Sequence, residues 1–189
     1  EDISVDKDNK SFVLENGVLY NADKTDLIKC LKSKVKGEFS IPSTVVNIES
    51  GAFEGCSEIT AINIPASVSY ISDSFNGCTS VEAVNVSKRN NSYSSADGVL
   101  FDKIKDYLIF YPPKRPSSSF TIPESVVWIA SKSFNNCDNL ESVKLPENLM
   151  NIPYAAFMDC DKLDNVVIPK KVTEIEHSAF ENCSALKNI

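Results

Sequence analysis

A chain of 189 residues, 42% of them hydrophobic, is long enough for one well-buried domain or one elongated array. Its formal net charge of -7 and its two arginines, Arg89 and Arg115, exclude the clustered cations that nucleic acid requires and the bidentate forks that suit phosphate or carboxylate ligands. It also lacks the run of about 18 apolar residues that a membrane-spanning helix needs.

The first predicted element is a small meander over residues 1–37. Phe12 to Leu14 turns through Asn16-Gly17 into Val18 to Tyr20, and a polar turn then leads into Leu27 to Cys30. Asn-Gly is a favoured two-residue hairpin turn because both of its central positions need positive φ. The lysines between Lys29 and Lys36 read as a solvated surface rather than a phosphate site. Two coils follow over residues 38–86. They open at Ile41-Pro42 and Ile64-Pro65, and they carry Phe53-Cys56-Ile59 and Phe75-Cys78-Val81. A second meander and its return loop occupy residues 87–118. Asp97-Gly98-Val99-Leu100-Phe101 stands 81 residues after Asn16-Gly17-Val18-Leu19-Tyr20, and Leu108-Ile109 stands 81 after Leu27-Ile28. Three coils close the chain over residues 119–189, opening at Ile122-Pro123, Leu145-Pro146 and Ile168-Pro169. These carry Phe134-Cys137-Leu140, Phe157-Cys160-Leu163 and Phe180-Cys183-Leu186.

Neighbouring Ile-Pro or Leu-Pro pairs lie 23 residues apart. A fixed period of this size means a solenoid, in which no unit buries its apolar face alone. Within one coil the inward set is Ile122, Val126, Ile129, Phe134, Cys137, Leu140 and Val143. Ser142 to Leu145 alternates polar and apolar, as a half-buried strand does, and Pro146 ends it. Val126 to Ile129 is a second extended piece, and Ser133 to Asp138 is expected to form a single helical turn. The coil at Ile64 is one residue short, with Phe75 falling 11 rather than 12 positions after the isoleucine. The predicted fold is therefore a mostly-β, right-handed solenoid of 23-residue coils with short strands and single helical turns, plus two inserted β-meanders, in one repeat domain over 1–189.

Five of the six cysteines hold one slot in successive coils: Cys56, Cys78, Cys137, Cys160 and Cys183. A shared slot is a packing column, so these are expected to be buried and reduced rather than bridged. No two cysteines are close in sequence and the only histidine is His177, so no metal site and no cofactor are expected. His177 lies in a variable turn column with Ser50, Ser131 and Tyr154, which argues against a catalytic base. Asp159-Cys160-Asp161 reads as a solvated turn, and the Asn-x-Ser matches at Asn9, Asn85, Asn90 and Asn182 read as chance. An enzyme is not expected.

The repeated Ile-Pro-x-x-Val-x-x-Ile with Ala-Phe-x-x-Cys-x-x-Leu resembles the BspA-like leucine-rich repeat family. It is clearest at Ile168 to Ile175 and Ala179 to Leu186, and the segments Asp97 to Phe101 and Tyr111-Pro112 look like inserts common in that family. The coil at Ile64 and Val86, which lacks a following proline, depart from the pattern. The resemblance implies a leucine-rich-repeat solenoid in a secreted or cell-surface protein of the kind found in gut and oral anaerobes and some mucosal protozoa. It implies a scaffold that adheres to a host extracellular protein or glycan. The alternative is a structural spacer that displays another domain and has no ligand of its own.

The outward strand slots, such as Ala61 and Asn63 or Ser142 and Lys144, are small and mostly polar. A different column, the residue before the second inward isoleucine, reads Asn47, Tyr70, Trp128, Asn151 and Glu174. If the second meander bulges out of the stack, Tyr70 and Trp128 fall on adjacent coils. They are then candidate ligand anchors, with Asn47 and Asn151 at the rim. The favoured reading, however, is that Trp128 packs under the meander as a satellite core. Ile189 ends the sequence on an apolar strand slot, which points to continuation of the array or to end-to-end self-association at that edge.

Overall fold

A computed structural model describes residues 3–187. They fall into two compact units, the first running to Tyr93 and the second starting at Ser94. In the first unit, β1 (Phe12–Glu15), β2 (Val18–Asn21) and β3 (Asp26–Cys30) form the expected antiparallel meander. The chain then alternates between two sheets through β4 (Gly37–Ser40), β5 (Asn47–Ile48), β6 (Ile59–Ile64), β7 (Tyr70–Ile71) and β8 (Ala83–Val86). Parallel β4, β6 and β8 make one sheet, with Phe39, Ile62 and Val84 in register. The other sheet runs β1-β2-β3-β5-β7. Here β3, the last strand of the meander, pairs in parallel with β5, so the meander enters the ladder of coils directly.

The second meander comprises β9 (Tyr93–Ala96), which begins at the boundary, with β10 (Val99–Asp102) and β11 (Tyr107–Phe110). The coils supply β12 (Ser119–Thr121), β13 (Trp128–Ile129), β14 (Ser142–Lys144), β15 (Asn151–Ile152) and β16 (Glu174–Ile175). Again the last meander strand joins the ladder: β11 pairs in parallel with β13. The second meander therefore does not bulge out of the stack. β12 pairs with β14, a bridge carries that ladder from Ser142 to Asn165, and β15 pairs with β16. Strands this short are stable because each rung is shared with the coils above and below.

The expected helical turns are absent. No helix forms among the described residues, and the Phe-x-x-Cys segments are runs of turns. The reason lies in where successive N–H groups go. In the coil at Phe134, the amides of Lys132, Phe134 and Asn136 donate to Tyr154, Ala156 and Met158 of the next coil. The amides between them, at Ser133 and Asn135, donate back to Ala130 and Lys132 of their own coil. A helix directs every N–H along its own axis and could not make these inter-coil bonds. Alternation requires two left-handed residues per turn, four apart: Gly51 and Gly55, Lys132 and Asn136, Ala155 and Asp159, Ser178 and Asn182, with φ between 51° and 73°. In the short coil, Gly77 (φ 76°) is the one left-handed residue among those described, so the deletion falls on the first position of the pair.

The core is a set of residue columns. Tyr111, Phe134, Phe157 and Phe180 stack with centroids 4.8, 4.8 and 5.4 Å apart. In the first unit Phe53 stacks on Phe75 at 5.6 Å and meets Phe39 edge-on. All six cysteines are free. Five are buried and Cys183, expected to be buried, is only partly so, because it sits in the last described coil. Ile189 lies outside the described residues.

Candidate functional site

The two columns of cysteines are chemically quiet. Cys78 Sγ donates to Phe53 O at 3.2 Å, and Cys160 and Cys183 donate to Phe134 O and Phe157 O at 3.0 Å. Each thiol thus reaches the aromatic column of the coil before it. Burial pushes the Cys78 thiol above its ordinary value. A hydrogen bond to the Cys137 thiol does the same for Cys160, and one to Cys160 does the same for Cys183. Cys30 joins the first column, and its bond with Cys56 raises Cys30 and lowers Cys56. The thiols held above their ordinary value are poor nucleophiles while the coils stay packed. His177 is exposed and lies against Tyr154, with ring centroids 4.5 Å apart. Among the described residues, no group of three or more His, Cys, Asp or Glu side chains is arranged to hold a metal ion.

The four candidate anchors separate into two places. Asn47 and Tyr70 are register neighbours on β5 and β7 of the first unit, in one column with Asp26. Tyr70 is 52% exposed. Asn47 is committed to the fold: its Nδ2 donates to Asp26 Oδ1 at 2.7 Å, while Asn21 Nδ2 holds the other carboxylate oxygen. Trp128 and Asn151 belong to the second unit. Trp128 is 45% exposed, so it does not pack away under the meander. The residue beside it in the ladder is Tyr107 of β11, not Tyr70. Tyr107 is also exposed, and Ile104 at the preceding turn is 73% exposed. Asn151, on β15, has its Nδ2 donating to Glu176 Oε1 at 3.3 Å, and Glu176 Oε2 accepts from the Tyr154 backbone N–H. Tyr107 escaped the coil-by-coil reading because it lies in a meander rather than a coil. The 81-residue period would have found it, since that period aligns Tyr107 with Asp26 and Trp128 with Asn47.

A second surface lies on the strand face of the second unit. A groove of about 460 Å³ runs over β12, β14 and the Asn165 segment, lined by Thr121, Lys144, Glu147 and the exposed Val167. The matching face of the first unit is filled by a side-chain ladder, in which Asn63 Nδ2 reaches Glu38 and Ser40 and Asn85 Nδ2 reaches Asn63.

Parallel ladders, stacked aromatic columns and an outer surface free to vary define a repeat scaffold whose chemistry resides in what it presents. The chain belongs to the BspA type leucine-rich repeat family, whose model matches residues 29–101 and 102–189 in six copies. The pneumococcal vaccine antigen PcpA is similar, at 27% identity and a TM-score of 0.71 over 86% of this chain and 53% of that one. A leucine-rich repeat protein of Eubacterium ventriosum matches in fold at 21% identity and a TM-score of 0.57, over 82% of this chain and 57% of its own. A leucine-rich cell surface protein of Faecalibacterium prausnitzii does so at 19% identity and a TM-score of 0.53, over 95% and 85%. The chain thus spans just over half the length of the first two. No curated protein matches it.

Proposed function

We propose that the chain is a binding scaffold displayed outside the cell, secreted or surface-bound, and that the second unit carries its ligand platform. The observation behind this reading is the exposed Tyr107–Trp128 pair. Two large amphipathic residues are register partners on neighbouring strands, and the next register pair, Leu108 and Ile129, is buried. Tyr and Trp are the residues that most often anchor a protein partner, and their faces also suit a sugar ring. That chemistry supports adhesion to a host extracellular protein or glycan as the reading of this scaffold. Asn151 forms the rim on one side, and Tyr70 with Asn47 is a separate, smaller patch on the first unit.

A screen of the purified chain against matrix proteins, mucins and a glycan array tests this. Trp128→Ala is expected to abolish binding of whatever the wild type captures, and Tyr107→Ala to weaken it at least tenfold. Both variants should keep the wild-type circular-dichroism spectrum, because the rings are exposed. Tyr70→Ala is the control on the other unit and should leave binding unchanged. A wild type that captures nothing would favour the spacer reading. Binding that survives Trp128→Ala would move the site elsewhere, with the groove at Lys144 and Val167 next to be tested.

A further inference from the structure

The 81-residue period lets the two units be compared slot by slot, and around the aromatic platform they share one backbone. Lys24 and Lys105 hold the same left-handed turn position at φ 55° and 59°, with their N–H groups on Asn21 O and Asp102 O. The N–H groups of Val46 and Asn47 both donate to Thr25 O, and those of Val127 and Trp128 both donate to Asp106 O. Asp26 pairs with Asn47 as Tyr107 pairs with Trp128. On this common frame the side chains are opposite in kind. Asp23, Asp26, Asn47 and Ser69 of the first unit stand where the second has Ile104, Tyr107, Trp128 and Met150. The polar set closes on itself: Asn21 Nδ2 donates to Thr25 Oγ1 and Asp26 Oδ2, and Asn47 Nδ2 donates to Asp26 Oδ1. The apolar set faces solvent, with Ile104 73% exposed, Met150 49%, Trp128 45% and Tyr107 38%. The strip is internal to its unit, since β10 pairs with β11 on one side and the Thr173 N–H of the following coil donates to Met150 O on the other.

Exposed fractions of this size on large side chains leave on the order of 400 Å² of apolar surface. That is about half of the roughly 800 Å² that one partner gives to a standard protein interface, enough for the apolar core of one. The chemistry points the same way. Trp, Tyr and Met are enriched in such cores, and a flexible methionine adapts to the shape of what it meets. Isoleucine and methionine offer nothing to sugar hydroxyls, and the amide of Asn151, in the column of Trp128, is held by Glu176. The flanking turn sets Lys103 and Lys105 against Asp102 and Asp106, so it presents no net charge to an ionic ligand. Asp102 Oδ1 is itself taken up by the Tyr107 N–H at 3.0 Å. We infer that Ile104, Tyr107, Trp128 and Met150 form one strip that docks the apolar, weakly charged centre of a protein surface rather than a glycan. This rests on the reading of the Tyr107–Trp128 pair as the ligand platform, and it adds Ile104 and Met150 as the outer anchors.

Substitutions at the two outer anchors separate a protein from a sugar. Ile104→Asp and Met150→Ser install the first unit's residues on a backbone that already carries them there, so both variants should keep the wild-type circular-dichroism spectrum. Ile104→Ser and Met150→Gln repeat the test without a new charge. The probes are immobilised laminin, collagen and fibronectin, a displayed random peptide library, and a glycan array. Wild type should bind a matrix protein or select peptides rich in apolar residues, and each outer variant should lose about tenfold in affinity for what is bound. Raising salt from about 0.05 M to about 0.5 M should change the wild-type affinity by less than about twofold. A bound glycan that is lost with Trp128→Ala but kept by the outer variants would overturn the inference and leave the platform in place. So would protein binding that ignores both outer substitutions or collapses at the higher salt. Capture of none of the probes would overturn the platform and the inference together.

Discussion

Ser178 sits at φ 60°, in the left-handed slot that glycine fills at Gly51. A side chain there costs about 1 kcal/mol relative to glycine. Ser178→Gly is therefore expected to stabilise the second unit by up to about 1 kcal/mol, read as a raised midpoint in denaturant. Lys132 and Ala155 carry the same strain at φ 58° and 51°, but each has a compensating contact. Lys132 lies over the Tyr154 ring, and the Ala155 methyl is fully buried. Asn90 is the opposite case, a residue whose polarity is required. Asn90→Ala would strand the Pro65 and Val68 carbonyls and the Ser92 and Tyr93 N–H groups at once and is expected to cost about 3 kcal/mol. Equilibrium unfolding of the variant measures this, and a loss under about 1 kcal/mol would show the hub to be dispensable. Reading Asn90 as a chance glycosylation match missed its role, because the acceptors Pro65 and Val68 lie a full coil away in sequence. The Asn9 counterpart at the 81-residue spacing was the available signal.

At the scale of the coil, most of the architecture is legible in the sequence. Alternation at Ser142 to Leu145 gives β14, and Asn16-Gly17 and Asp97-Gly98 give two hairpins whose turn residues share φ values of 50° and 79°. The Phe-x-x-Cys segment defeats the same reasoning. Spacing of inward residues by three suits one turn of helix as well as a run of turns, and only the inter-coil hydrogen bonds decide between them. The candidate site was half legible. Trp128 is exposed, against the favoured expectation that it packs under the meander, and its neighbour depends on whether β11 enters the ladder, which no local pattern encodes. Phe157 shows how strongly each coil depends on the next. It is fully buried between Phe134 and Phe180, so Phe157→Ala is expected to cost about 3–5 kcal/mol. Hydrogen exchange should show the loss spreading through residues 119–187 and sparing the first unit; a uniform loss across both units would contradict nearest-neighbour stability.

For the molecule as a whole, the thiol columns set the alkaline limit of stability. Cys30, Cys78, Cys160 and Cys183 all hold their protons more tightly folded than free, where the ordinary value is 9.0. Cys56 shifts the other way and is outnumbered. A raised folded-state value contributes stability that is complete below the free-thiol value and is lost as pH rises past it. Burial likewise holds Tyr20 at about 12 against its ordinary 10.0, which extends the loss upward. Denaturant midpoints should thus fall as pH rises above 9.0. Thiol titration should find the buried cysteines reactive only after unfolding. A midpoint that holds steady into strong alkali, or rapid labelling of Cys78 or Cys160 in native protein, would contradict the packing described.

The entry of β3 and β11 into the parallel ladders has a consequence for how such a protein can be lengthened or edited. A coil is usually extended by adding another coil, which shifts every later surface residue along the array. Here an antiparallel excursion of two strands and a tight turn feeds a third strand, which runs as the rung beside β5 or β13. The excursion is a siding rather than a link in the main line. Its tips at Asn16-Gly17 and Asp97-Gly98 are accordingly the places where foreign sequence can be spliced in while the order of the coils that follow is preserved.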